Sequence, residues 1–162
     1  MLQDFRSGDN ETGSGGQLTD AAVIRLATAY PNLIHASLDG SKYLIDISLL
    51  AFFNNCPNLR YLVVTGNDKV PGKLKGPALD ELREKPDLGR KLENIRLTDQ
   101  DILDKKLERA IKSLSTSRKI LAIEVGNTHE RSGHVTTWVG GKEKMGYQAF
   151  GGSGGFSQFG GW

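Results

Sequence analysis

The chain has 162 residues, 38% of them hydrophobic, and its 21 basic residues nearly balance 19 acidic ones for a net charge of +2. That suits one domain with a modest core, and it excludes a global electrostatic pull toward nucleic acid or an anionic membrane. A lone cysteine, Cys56, excludes a disulfide framework, and no apolar run approaches the roughly 18 residues of a membrane span. Residues 1–17 are rich in Gly, Ser, Asp and Asn with Leu2 and Phe5 as large apolar groups, so they are expected to form a flexible lead-in. The polar start Gln3-Asp4-Phe5-Arg6-Ser7 does not read as a signal peptide, so a cytoplasmic or nuclear location is expected.

A helix is expected from Thr19 or Asp20 to about Tyr30, with Val23, Leu26, Ala27 and Tyr30 on one face and Pro31 as the stop. Pro31-Asn32-Leu33 then opens a short strand with Ala36 and Leu38. The same order recurs 26 residues later: a helix near Asp46 or Ser48 carrying Leu49, Leu50 and Phe53, then Cys56-Pro57-Asn58-Leu59 and a strand with Leu62 and Val64. The apolar spacing is a leucine, two free positions, a second, one free position, a third. Gly66 to Gly76 stretches the next period to 33 residues, as a loop inserted between repeats would. A third helix with Leu79 and Leu82 precedes Leu92, Ile95 and Leu97. A fourth is expected from the cap Thr98-Asp99 through Ile102, Leu103, Leu107, Ala110, Ile111 and Leu114, followed by Ile120, Ile123 and Val125. From residue 129 to 162 glycine dominates, with regularly spaced aromatics, and a low-complexity tail is expected there with a short strand at Val135 to Val139.

Stacked in this way, alternate strand residues point inward and bury a shared core while those between face out on a concave sheet. The outward rows are His35, Tyr61, Asn94 and Ala122; then Ser37, Val63, Arg96 and Glu124; then Asp39, Thr65, Thr98 and Gly126. Candidate contacts for a protein partner are therefore His35, Ser37, Asp39, Tyr61, Val63, Thr65, Asn94, Arg96, Thr98 and Glu124, with Tyr61, His35, Arg96 and Val63 at the centre.

The run Cys56-Pro57-Asn58-Leu59-Arg60-Tyr61-Leu62, preceded by a helix and repeated at about 26 residues, resembles the cysteine-containing leucine-rich repeats of F-box proteins and antagonist-of-mitotic-exit proteins. Leu18-Thr19-Asp20 resembles the Ile-Thr-Asp start of that subclass, and the likeness covers roughly residues 18 to 128. It implies an α/β leucine-rich-repeat solenoid, a horseshoe of about four units with strands on the concave face and helices on the convex face. It also implies non-enzymatic recognition of a protein, with ubiquitin-ligase components as partners of the family. The third and fourth units keep only the apolar skeleton, and no F-box segment stands ahead of the repeats in this sequence.

Gly66 to Leu74 breaks the phosphate-loop spacing and has Leu74 where a magnesium-binding hydroxyl is needed. Cys56, His129 and His134 lack a fourth zinc ligand, and Asp99-Gln100-Asp101 and Asp80-Glu81 fit helix starts. No cofactor, metal or catalytic residue is expected. The alternative function lies in the tail, where Phe150, Phe156, Phe159 and Trp162 between glycines suit RNA stacking or a condensate. Arg131, Lys142 and Lys144 give it little phosphate attraction, so nucleic acid is not the expected partner.

Overall fold

Residues 1–9, 15–67, 69–101, 105–128 and 134–147 are described by the structure, a computed structural model. In chain order they form β1 (Asp4–Ser7), α1 (Asp20–Ala29), β2 (His35–Leu38), α2 (Asp46–Asn55), β3 (Tyr61–Val64), α3 (Pro77–Glu84), β4 (Asn94–Thr98), α4 (Lys105–Ser117), β5 (Ala122–Gly126), β6 (His134–Val139) and β7 (Lys142–Tyr147). The strands lie side by side in that order in one open seven-stranded sheet. Strands β1 to β5 are parallel, and β6 and β7 extend the sheet as an antiparallel hairpin. Parallel neighbours need a crossover, which each helix supplies, and each helix packs on the next. The protein is α/β, and no helix among the described residues is long and apolar enough to cross a membrane.

The repeated leucines are explained by register. His35 pairs with Tyr61, Tyr61 with Asn94, and Asn94 with Ala122, so equivalent positions of the copies stand side by side. Ala36, Leu38, Leu62, Val64, Ile95, Leu97 and Ile123 point to the helices and join Val23, Phe52, Leu79, Leu82, Ile111 and Leu114 in one core. The fourth copy departs from expectation by one residue. Ile120 is 90% exposed and Leu121 is buried, its N–H bonding Arg118 O as the N–H groups of Leu33, Leu59 and Leu92 bond the third residue before them. The approach to β5 is one residue shorter than the others, so the apolar position shifts.

Both ends of the chain differ from the sequence reading. Within the expected lead-in, β1 adds to the sheet through backbone pairing with β2, Asp4 opposite His35 and Ser7 opposite Leu38, while Leu2 and Phe5 pack on the core. Strand pairing supplies what two apolar side chains could not. At the other end β6 and β7 occupy the start of the expected tail, joined at Gly140-Gly141, whose φ angles of 61 and 75 favour glycine. Phe150, Phe156, Phe159 and Trp162 lie outside the described residues. The expected cap at Thr98-Asp99 is also corrected: Thr98 ends β4, Asp99 adopts φ 57, and α4 is described from Lys105, with Ile102 and Leu103 outside the described residues.

Helix ends are completed from neighbouring units. Thr19 caps α1 itself, accepting from Ala22 N at 3.3 Å. The α2 start is served by Asp20 of α1, whose Oδ1 accepts from Ile45 N and Ser48 Oγ. The α3 start is served by Asp46 of α2, which accepts from Lys75 N at 2.7 Å and from Gly76 N and Ala78 N at 3.0 Å. At the other ends, Cys56 Sγ reaches the carbonyls of Ala27 and Tyr30 at 3.6 Å, and the Arg118 guanidinium donates to those of Leu82, Lys85, Leu88 and Gly89. The inserted loop is tied down too. Gly72 bridges to Gln100, whose amide spans Leu74 N, Val64 O and Thr98 O, and Leu74 is buried.

Candidate functional site

The sheet face turned away from the helices carries the predicted rows in register. Asp4, His35, Tyr61, Asn94 and Ala122 form the first; Arg6, Ser37, Val63, Arg96, Glu124, Thr137 and Lys144 form the second. Asp39, Thr65, Thr98 and Gly126 stand at the strand ends. All ten candidate contacts are therefore brought to one surface.

Exposure divides them, and here the sequence reading is corrected. Ser37, Val63, Thr65, Asn94, Arg96, Thr98 and Glu124 are buried, leaving His35, Tyr61 and Asp39 as the partly accessible candidates. In-register neighbours stand about 4.8 Å apart, so each side chain of the middle row is shielded on two sides. Arg96 lies between Val63 and Glu124, and Glu124 between Arg96 and Thr137 of the hairpin. Glu124 is 2% exposed, and burial pushes its carboxyl up to about 7 although the nearby Arg96 pulls it down. Among the described residues, Glu124 Oε2, Asn94 Oδ1 and Thr98 Oγ1 have no hydrogen-bond partner. The strand ends are better satisfied: Thr65 Oγ1 accepts from Gly40 N at 3.1 Å and donates to Asp39 at 3.3 Å, and Ser37 Oγ donates to Asp39 at 3.0 Å.

The accessible polar groups form a strip along the first row. His35 and Tyr61 meet edge to face, centroids 6.2 Å apart. Tyr61 donates to Glu93 Oε2 at 2.8 Å, and Arg60 donates to the other oxygen of the same carboxylate through Nε, at 2.8 Å, and Nη2. These two bonds hold Glu93 below the usual carboxylate range, the Arg60 bond most, and the Glu93 bond raises the Tyr61 phenol. At the edge, His35 Nδ1 lies 3.3 Å from both Asp4 Oδ1 and Arg6 Nη2, so it donates to the carboxylate when protonated there and accepts from the guanidinium when not. Arg60 and Glu93 were missed from sequence, yet each directly precedes a first-row residue, the position where a cross-strand ion pair is expected.

No family model, curated protein or solved structure matches this chain. Chemistry must therefore be read from its own groups. Cys56 is fully buried, burial pushes its thiol up to about 11, and its Sγ is engaged with helix carbonyls, a structural role that leaves no thiolate near neutral pH. A cleft of about 180 Å³ lies between α4 and β4 to β6, on the helix side of the sheet, with Leu107, Ile111, Val125 and Trp138 in its wall and Asp101, Glu108 and Glu143 at its rim. None of the predicted contact residues lines it.

Proposed function

We propose that this chain is a leucine-rich-repeat solenoid that acts by non-enzymatic recognition of another protein across the outer face of its sheet. The observation that carries the reading is the accessible strip His35, Tyr61, Arg60 and Glu93, in which an imidazole packs against an aromatic ring and the Glu93 carboxylate is shared between the Arg60 guanidinium on one oxygen and the Tyr61 hydroxyl on the other. Tyr and Arg are enriched among the side chains that anchor protein interfaces, Tyr because it offers large area at small entropic cost. Support for the solenoid itself comes from the 26-residue recurrence of Pro-Asn-Leu, the in-register parallel strands and the Cys56 thiol that ties the end of α2 to the end of α1. A substrate-recognition part of a ubiquitin ligase is the narrower version, and it rests on the family resemblance alone.

Affinity capture from cell extract tests this with three baits: the full chain, the chain ending at Tyr147, and a full-length Arg60→Ala/Tyr61→Ala variant whose fold is checked by circular dichroism. Partners are expected to stay with the shortened chain and to be lost from the double variant. Partners that ignore the double variant overturn the reading. Partners lost with the tail, or on nuclease treatment, favour RNA or condensate association through the Gly/aromatic segment.

A further inference from the structure

The segment that joins β2 to α2 and the first turn of α2 present Tyr43, Ile45 and Ile47 to solvent, each nearly half exposed, while the residues between them are committed: Leu44 is in the core and Asp46 caps α3. Ile45 occupies the N-cap of α2, where a Ser, Thr, Asp or Asn would serve the helix directly. Its cap is supplied instead by Asp20 of α1, so no local requirement of the fold explains a large apolar side chain there. Around these groups the charge is positive. Lys42 and Lys73 each place Nζ 5.2 Å from the Tyr43 ring, and Lys73 and Lys75 belong to the inserted loop that lengthens the repeat to 33 residues. The neighbouring carboxylates, Asp20 and Asp46, are turned into helix N-termini.

We propose that Lys42, Tyr43, Ile45, Ile47, Lys73 and Lys75 form a docking ridge for an acidic protein segment that carries large apolar side chains. The proposal does not depend on how the sheet face is used. Three separate apolar anchors flanked by ammonium groups match a peptide whose side chains alternate between apolar and acidic. A nucleic acid would find a single aromatic ring, its flanks already taken by two ammonium groups, and no guanidinium fork. A membrane surface favours an amphipathic helix with a Lys/Arg-rich polar face, and α2 carries neither Lys nor Arg. The inserted loop thereby acquires a role: it delivers Lys73 to a ring that belongs to the preceding repeat.

The test is selection from a library of random short displayed peptides on the full chain, on a Lys42→Glu/Lys73→Glu variant and on Ile47→Ser, each checked for an unchanged thermal melt. Wild type is expected to enrich peptides bearing Asp or Glu beside Leu, Ile or Phe. The charge-reversal variant should enrich basic peptides instead, and Ile47→Ser should bind the wild-type winners at least about tenfold more weakly. Enrichment of the same peptides by all three proteins overturns the proposal, as does enrichment of none. Binding confined to phosphatidylserine vesicles or to a single-stranded oligonucleotide, titrated in parallel, overturns it in favour of lipid or nucleic acid.

Discussion

Replacing Glu124 by Gln should stabilise the protein in alkaline solution and leave it nearly unchanged in mild acid. The buried carboxyl holds its proton up to about 7, whereas in the unfolded chain it releases it near the ordinary 4.5. Between those values the native state binds more protons than the unfolded one, so this group's contribution to stability is full below about 4.5 and is lost as pH rises through about 7. The gap, at about 1.4 kcal/mol per pH unit, amounts to about 3 kcal/mol. Glutamine keeps the shape of the protonated side chain and cannot ionise. Urea denaturation of both proteins across about pH 4 to pH 8.5 should therefore show curves that coincide at the acid end and separate by about 3 kcal/mol at the alkaline end. Other titrating groups cancel in the difference. A difference that does not change with pH would refute the reasoning, since it would mean Glu124 ionises in the native state as readily as in the unfolded chain.

Arg118→Met should cost about 2 kcal/mol in the same assay, because it strips a charged donor from the carbonyls that close α3, and Arg118→Lys should recover less than half of that for want of a fork. Asp46→Ala removes the acceptor of three backbone N–H groups at the start of α3 and should cost about 1 to 2 kcal/mol, read by thermal or urea melting. Cys56 should resist iodoacetamide in the native protein at neutral pH and react fully once urea unfolds it; mass spectrometry showing native alkylation at the unfolded rate would contradict the assignment of this thiol to helix closure.

Much of the fold was legible because the core residues repeat. Leu33, Leu59 and Leu92 with their strand partners could be aligned by eye, and the pairing of His35, Tyr61 and Asn94 follows from that alignment. The one-residue slip at Ile120 and Leu121 was not, since both are large and apolar and only the shortened approach to β5 tells them apart. Strand β1 escaped because its stabilisation is backbone pairing rather than apolar content. The hairpin was half visible: Val135, Thr137 and Val139 alternate with Thr136 and Trp138 before a Gly-Gly turn, but glycine-rich composition downstream masked the second strand. For the candidate site, alternation identified which side chains share a face, and the structure keeps that. Whether they meet solvent is a different property, set by the neighbouring strands and by the added hairpin. Arg96 and Glu124 are charged residues that composition alone assigns to water, yet each lies shielded within its row.

The exchange of helix caps between units has a thermodynamic corollary. Helix α3 takes its N-terminal acceptor from the unit before it and its C-terminal donor from the unit after it, while α1, the first helix among the described residues, relies on its own Thr19. Opening the α2 unit therefore takes Asp46 from the start of α3 and Cys56 from the end of α1 while those helices are still folded, so the interface energy there exceeds what packing of apolar faces supplies. Such coupling suppresses partly melted arrays and sharpens the transition. It also constrains how the chain can shorten: deleting the α2 unit would strip Asp46 from the start of α3 and Cys56 from the end of α1, so the shortened chain must find new caps for both helices.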